Sequence, residues 1–385
     1  MALRGLRAVS LLGLVVAGML ALSACAQPAQ QSAPAGGSQP AKPAAEPAKP
    51  AAEPAKPAAE PAKPAGAESA KPSGQVVELR AGSSNPKGDV LTDAIDKFAE
   101  IVEQKSKGEL KIRVFYQSLG VEQQLTQAVM SGSVDIGTIS NGNAGRFTSA
   151  FFNYDLPFLF PSYDAMLKSL DGPIAKKAIE QFEKDLGVKM LFIQSYGAGR
   201  DIQTRNRPLK VPADIRGLKI RVVSTPVDLA TFKAWGANPT PVDWAQTYTA
   251  LQQGTVDGEN IPLPIVLGVK HYEVVKHNIR LDYQMIFQTF YINQKTFERL
   301  SPAHQKILLE AAAEARAWNW KDAPERVKKA EQELTTKHGM TIYTPTRDEW
   351  NQWAAVRDQV WNEVAEQQKG KVDLNIARQL AESAR

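Results

Sequence analysis

The chain has 385 residues, 43% of them hydrophobic and 23% charged, and carries a net charge of +5 at pH 7. That length allows two lobes with substantial cores, and a weak positive bias with no basic stripe interleaved with aromatics argues against nucleic-acid binding. Cys25 is the single cysteine, which excludes an intrachain disulfide, so the fold must rest on its core.

The N-terminus reads as a targeting segment. Arg4 and Arg7 form a basic n-region, and Val9 to Leu20 form an apolar h-region too short for a comfortable membrane span. Leu22-Ser23-Ala24-Cys25 follows and resembles the lipobox of lipoprotein precursors. That resemblance implies a signal peptide over residues 1–24, cut before Cys25, whose thiol then carries diacylglycerol. An ordinary signal peptide cut near Ala24, with Cys25 incidental, is the plainer alternative. Residues 25–74 hold Cys25 and a low-complexity linker repeating Ala-Lys-Pro-Ala-Ala-Glu-Pro. Proline at that density blocks helix and sheet, and no large apolar side chain is present to build a core. The expectation is a disordered, extended tether, neutral enough to bind neither membrane nor nucleic acid.

From residue 75 strand and helix signals alternate. Val76 to Ala81 reads as a strand. Val90, Leu91, Ala94, Ile95, Phe98 and Val102 recur at helical spacing, and Gly108 stops that helix. Leu110, Ile112 and Val114 alternate as a strand, a helix runs from about Val121 to Met130, and Val134 to Ile139 is a strand again. Helix 173–186, Gly187 and strand 188–194 repeat the scheme. Lys219 to Val223 is a strand and Pro226 to Trp235 a helix closed by Gly236. Asp243 and Gln246 have capping-box spacing for a helix from Trp244 to Gln253, ended by Gly254. Val256-Asp257-Gly258 is a turn or strand. Arg280 to Ile292 reads as one long apolar strand. Ser301-Pro302 opens a helix of some 35 residues that Pro324 should kink. Met340 to Tyr343 is a short strand, and Arg347 to Gln367 a last amphipathic helix. Strands alternating with helices predict an α/β fold of mostly parallel sheets.

Two stretches go beyond pattern: Gly217-Leu218-Lys219-Ile220-Arg221-Val222, and Gly236 to Val242 running on through Tyr248 to Gly254 and Val256-Asp257-Gly258. Ser118-Leu119-Gly120, Ser131 to Ile136, Leu156 to Phe160 and Asn206-Arg207-Pro208 before Asp214 fit the same order. Together they resemble the substrate-binding proteins of tripartite ATP-independent periplasmic (TRAP) transporters, DctP type, over nearly all of 75–370, here in lipoprotein form. The resemblance implies a two-lobe periplasmic-binding-protein clamshell: α/β lobes with a mixed, mostly parallel sheet in each, crossing strands and a long kinked helix spanning both. The solute-binding domain is expected at 75–385, with one lobe from about 75–198 and 287–326 and the other from 199–286 and 327–385.

The family match puts a ligand-carboxylate arginine at Arg221, on the strand after Gly-Leu-Lys. A guanidinium keeps its charge in a partly dry cleft and presents a planar fork that matches a carboxylate. Arg200, eight residues before Pro208, corresponds to a second ligand-contacting arginine, and Trp244 to an aromatic pocket wall. Many members read Val-Asp-Gly-Gln-Glu-Asn-Pro, whose Asn contacts ligand. This chain reads Val256-Asp257-Gly258-Glu259-Asn260-Ile261-Pro262. Ungapped, Ile261 takes the Asn position; shifted by one, Asn260 does. Ile261 in the pocket would disfavour a sugar acid and suit an aliphatic or aromatic carboxylate. Glu259 is a candidate to meet an ammonium group. Ser84, Asn85, Asn141 and Asn143 follow first-lobe strands and are candidate hydrogen-bond donors to the ligand.

The resemblance implies hinge closure over a small organic acid, then docking on the TRAP small and large membrane subunits, whose ion gradient drives uptake. The protein is expected outside the cytoplasm, a monomer held to the cell membrane by lipid on Cys25. No cofactor is called for, and a ligand-bridging metal ion stays open. His271, His277, His304 and His338 lack metal-ligand spacing, and neither a Gly-x-Ser-x-Gly elbow nor a phosphate loop occurs, so catalysis is not expected. The alternative function is a receptor feeding a sensor or signalling system, since that clamshell would look the same.

Overall fold

The computed structural model describes residues 76–383. The signal segment, Cys25 and the linker read from residues 1–74 lie outside the described residues. The strands are β1 (Val77–Ser83), β2 (Leu110–Tyr116), β3 (Ile136–Ser140), β4 (Val188–Ser195), β5 (Arg200–Thr204), β6 (Lys219–Val222), β7 (Asn238–Pro241), β8 (Gly258–Glu259), β9 (His277–Gln284), β10 (Phe287–Asn293) and β11 (Thr341–Tyr343). They form two sheets, ordered β2-β1-β3-β10-β4 and β11-β9-β5-β8-β6-β7.

Helical connections explain the parallel pairings. The helix Val90–Lys105 carries the chain from β1 back to β2, which pairs parallel from Val77↔Leu110 to Ser83↔Tyr116. Asp89 caps that helix with a capping box to Thr92, and Leu91, Ala94, Ile95, Phe98 and Val102 are buried. The helix Glu122–Ser131 ends at Gly132 with φ of 79°, a left-handed stop that favours glycine, and delivers β3 parallel to β1. β10 arrives from the other lobe and is antiparallel to both β3 and β4. The first sheet is therefore evenly mixed. In the second, β6 and β7, β6 and β8, and β11 and β9 run parallel, while β5 is antiparallel to β8 and β9.

The chain leaves the first sheet at Ser195 and enters the second at Arg200, then returns between Gln284 and Phe287. The apolar run read as one strand from Arg280 to Ile292 is thus two strands in different sheets. Asp282 has φ of 46°, and Gly199 lies so close that a Cβ there would sit 2.9 Å from the Asp282 Cα. Both halves of the run are buried, so hydrophobicity alone carries no sign of the break.

The helix Pro302–Thr336 is continuous through Pro324. Proline lacks the N–H that would bond the carbonyl four residues back. That carbonyl, of Trp320, instead accepts from the Tyr163 hydroxyl at 3.4 Å. One turn earlier, Asn319 accepts from the Ser195 N–H at 2.7 Å and donates to the Ser195 carbonyl at 3.2 Å, and the Trp320 indole donates to the Ile193 carbonyl at 2.9 Å. The long helix is clipped to the strand that leads into the crossing.

Three further readings need correction. Asp243 makes no side-chain cap: residues 244–246 form a 3-10 turn and the α-helix begins at Thr247. The amphipathic stretch from Arg347 is two helices, Arg347–Ala354 and Arg357–Gln367. Its partners differ too. Trp361 donates to the Pro157 carbonyl at 2.8 Å, and the helix Leu374–Ser383 buries Ala377 and Leu380 in a cluster with Phe151, Met166 and Phe182. Of the C-terminal helices, all placed with the second lobe on sequence order, Arg347–Ala354 packs there, with Trp353 against Trp235; Arg357–Gln367 touches both lobes, and Leu374–Ser383 covers the first.

Candidate functional site

A cavity of about 400 Å³ opens between the two sheets. It collects the C-terminal ends of strands and the loops after them, where ligands sit in open α/β sheets. The second lobe contributes Arg200 and Arg221 with Trp244 and Ile261; the first contributes Ser84, Asn85, Glu122, Gln123, Asn143 and Arg146; Tyr196 and Ile286 line it from the crossings.

Arg221 lies on β6 and is 4% exposed. Its Nε donates to the Val242 carbonyl at 3.0 Å, and its guanidinium carbon stands 5.6 Å from the centre of the Trp244 ring. Burial, followed by the charge of Arg200, pushes its pKa down to about 10. Among the described residues it has no carboxylate partner, although Glu259, Asp228 and Asp243 act on it from a distance. A buried cation without a counter-ion is costly unless something supplies the anion.

Arg200, on β5, is a different case. Its Nη1 donates to the Asn260 carbonyl at 2.9 Å and stands 3.7 Å from Asp228 Oδ2. Burial works against its charge, but Asp228, with Tyr283, Asp155 and Tyr196 around it, holds its pKa above the ordinary arginine value. Asp228 also accepts from the Val223 N–H at 3.1 Å, and the helix Pro226–Ala234 that carries it is capped by Thr225. Asp155 lies nearby on the first-lobe side, and burial, then the Asp228 carboxylate, raises its pKa to about 7 against the pull of Arg200.

The structure sets residues 260 and 261 on different sides of the cleft wall. The Asn260 carbonyl is taken by Arg200, and its amide donates to the Tyr283 hydroxyl at 2.8 Å. Asn260 is sealed beneath the cleft, and Ile261 lines it. Glu259 does not line the cavity. It is fully buried and both carboxylate oxygens lie 2.9 Å from His271 Nδ1. That pair sits behind Trp244, whose ring centre is 5.4 Å from that of His271. Asn141 is structural as well: it donates to Asp155 Oδ1 at 3.1 Å and accepts from the Phe287 N–H at 3.1 Å. Ser84, Asn85 and Asn143 do line the cavity.

Sequence reading missed Glu122, Gln123, Arg146, Asp155, Tyr196 and Asp228. Glu122 and Gln123 open a helix just after Gly120, so their first-turn position near the cleft had a local signal. Asp228 and Asp155 had none, because their partners come from distant segments. Among the described residues no group of three or more His, Cys, Asp or Glu side chains is placed to hold a metal ion, and no helix is long and apolar enough to cross a membrane.

Comparison with known proteins finds a family and a fold. The family model of DctP, bacterial extracellular solute-binding protein family 7, matches residues 81–368. A solute-binding protein of Verminephrobacter eiseniae is 33% identical over 250 residues, covering 65% of this chain and 74% of that relative. The 2,3-diketo-L-gulonate-binding periplasmic protein YiaO of Escherichia coli is 33% identical over 238 residues, covering 62% and 72% respectively. The crystal structure of the sugar acid binding protein DctPAm from Advenella mimigardefordensis, in complex with galactonate, matches with a TM-score of 0.74 at 26% identity, over 80% of this chain and 98% of that one.

Proposed function

This chain belongs to the DctP family of bacterial extracellular solute-binding proteins, and we propose that it grips the carboxylate of a small organic acid at Arg221 and delivers it to the membrane subunits of a TRAP transporter. The observation that carries the reading is the buried Arg221 guanidinium, aimed into the cleft with no acid partner among the described residues. A ligand carboxylate would supply the missing counter-charge in a bidentate geometry. Arg200, already neutralised by Asp228, would add a donor without adding much net charge. Trp244 would shield the pair from water, which strengthens it.

The crossings at residues 196–199 and 285–286 form the natural hinge, since few residues there join the two sheets. Ligand favours closure because both walls touch it only when they approach. On this reading Cys25 carries the lipid that holds the protein at the membrane. A labelled fatty acid fed to the cells should be incorporated into the wild-type protein and not into Cys25→Ser; equal labelling of the two would contradict the anchor.

Melting temperature recorded against a panel of organic acids tests the main reading. Ligand at a thousandfold its Kd should stabilise by about 4 kcal/mol. A shift with one class of carboxylate, abolished in Arg221→Ala, supports capture at Arg221. A shift untouched by Arg221→Ala would show that the anchor lies elsewhere.

A further inference from the structure

We infer that the ligand is a hydroxylated monocarboxylate, an aldonate or a close relative, and that Glu122 sets this preference from the lobe opposite Arg221. The inference rests on the carboxylate reading of Arg221 and concerns the other end of the ligand. Glu122 opens the helix Glu122–Ser131 and lines the cavity. A carboxylate only accepts hydrogen bonds. Its Oε2 accepts from the Ser140 N–H at 3.1 Å, the Ser140 hydroxyl at 2.8 Å and Asn143 Nδ2 at 2.8 Å. Its Oε1 accepts from Gln288 Nε2 at 2.7 Å.

Those donors are neutral. Among the described residues Glu122 makes no ion pair, so its negative charge faces the cavity uncancelled. The only other charge this lobe brings to the lining, among the described residues, is Arg146, which is exposed at the cavity edge where water screens it.

The same network fixes the neighbouring amides. Because Asn143 must turn its nitrogen to Glu122, its oxygen accepts from Gln123 Nε2 at 3.0 Å. Gln123 is then left with its oxygen as the unused group. Asn85 turns its oxygen toward the Ser84 hydroxyl at 3.4 Å, and one hydrogen of its amide serves the Asp89 carboxylate, which leaves the other as a donor. The first-lobe wall thus interleaves acceptors and donors beside a fixed negative charge. A hydroxyl serves such a wall because it both donates and accepts. A second carboxylate can only accept and would be repelled by Glu122. An alkyl or aryl tail would cover the Gln123 oxygen and the remaining Asn85 amide hydrogen without pairing them. The apolar contribution of Ile261, with that of Trp244, belongs to the opposite wall, where it meets the C–H face of a sugar acid as well as it would an aliphatic chain.

Calorimetry on the full-length protein with aldonates of four to six carbons, adipate and hexanoate tests this. The tightest aldonate should bind at least about 100-fold more tightly than either comparison acid, as in sites built to hydrogen-bond a hydroxyl. Glu122→Gln should narrow the aldonate-to-adipate ratio at least tenfold. Should that variant fail to fold, Gln123→Met should weaken aldonate binding about tenfold and leave hexanoate no weaker. Adipate or hexanoate matching the best aldonate, with binding lost in Arg221→Ala, overturns the class and leaves the anchor standing. No aldonate binding, or an unchanged ratio in folded Glu122→Gln, also overturns it. Aldonate binding that survives Arg221→Ala removes the anchor itself, and the inference with it.

Discussion

Replacing Arg221 by methionine separates what the residue does for the ligand from what it does for the fold. Burial and Arg200 push its pKa down to about 10. A guanidinium held below its ordinary value is a net cost to folding at every pH below that folded value, and the cost fades only as pH rises toward the ordinary value. The drop corresponds to a penalty on the order of 3 kcal/mol. Against it stands the hydrogen bond from Nε to the Val242 carbonyl at 3.0 Å, worth about 1.5–3 kcal/mol for a charged donor. Contact with the Trp244 face adds about 1 kcal/mol, which a methionine thioether largely restores. The terms nearly cancel, so the ligand-free Arg221→Met protein should unfold within about 1 kcal/mol of wild type in urea. Its affinity for the organic acid should fall by about 2–5 kcal/mol, roughly 30- to 5000-fold in Kd. Calorimetry and urea unfolding on the same samples check both halves. A ligand-free variant destabilised by more than about 3 kcal/mol would show that the fold already neutralises Arg221. Affinity within a few-fold of wild type would show that the cation does not hold the ligand.

Asp155 predicts a pH dependence. Its folded pKa of about 7 lies above the ordinary carboxylate value of 3.8, so its contribution is complete below 3.8 and is lost progressively as pH rises from there to about 7. Asp155→Asn, which mimics the protonated side chain, should raise the melting temperature more at pH 8 than at pH 5 and leave it nearly unchanged below pH 4; a change that does not grow between pH 5 and pH 8 would refute the assignment. His271→Ala strands the fully buried Glu259 without its partner and should destabilise the protein by about 3–5 kcal/mol in urea unfolding, much of which Glu259→Leu in the same chain should restore. Gly197 has φ of 85°, and a Cβ there would run into the Ala323 carbonyl of the long helix, so Gly197→Ala should lower stability by more than about 2 kcal/mol. A neutral Gly197→Ala would mean that the crossing can shift without loss.

Local grammar made much of the fold legible. Helix 173–186 and its Gly187 stop, with φ of 65°, follow from apolar spacing and the left-handed tolerance of glycine. Arg221 stood out because its flanking residues match a family motif. The break between Gln284 and Phe287 was not legible, since the strands on both sides are buried and their apolar runs are continuous in sequence. Asn260 and Ile261 alternate across a strand end, and sequence alone left open which of them faces the cleft. The Asn260 side chain bonds the Tyr283 hydroxyl beneath the cleft, 23 positions away, while Ile261 lines the cleft. Glu122 had a local signal in its first-turn position after Gly120, but its surroundings were not legible: they are assembled from Ser140, Asn143 and Gln288, on segments that no window around residue 122 contains.

The distribution of buried charge bears on how such a clamshell signals that it is loaded. Arg200 has its counter-ion in Asp228, so it is balanced whether or not ligand is present. Arg221 is not balanced by any ion pair among the described residues, and Glu122 on the facing lobe has neutral donors only. While the lobes stand apart, water can solvate the face that each turns to the cleft. Bringing them together without ligand removes that water and gives neither charge a partner. The desolvation penalty therefore falls on the empty closed state. An acid that sets its carboxylate on Arg221 and its hydroxyls beside Glu122 removes the penalty at both ends. Population of the closed form is then coupled to occupancy by the difference in ligand contacts between the two states, as any ligand-driven closure requires. A single-end mutation should accordingly weaken ligand-induced closure as well as affinity. In small-angle scattering, Arg221→Met saturated with aldonate should keep a radius of gyration nearer that of the empty protein. Full compaction of that variant on saturation would show that closure does not depend on neutralising Arg221.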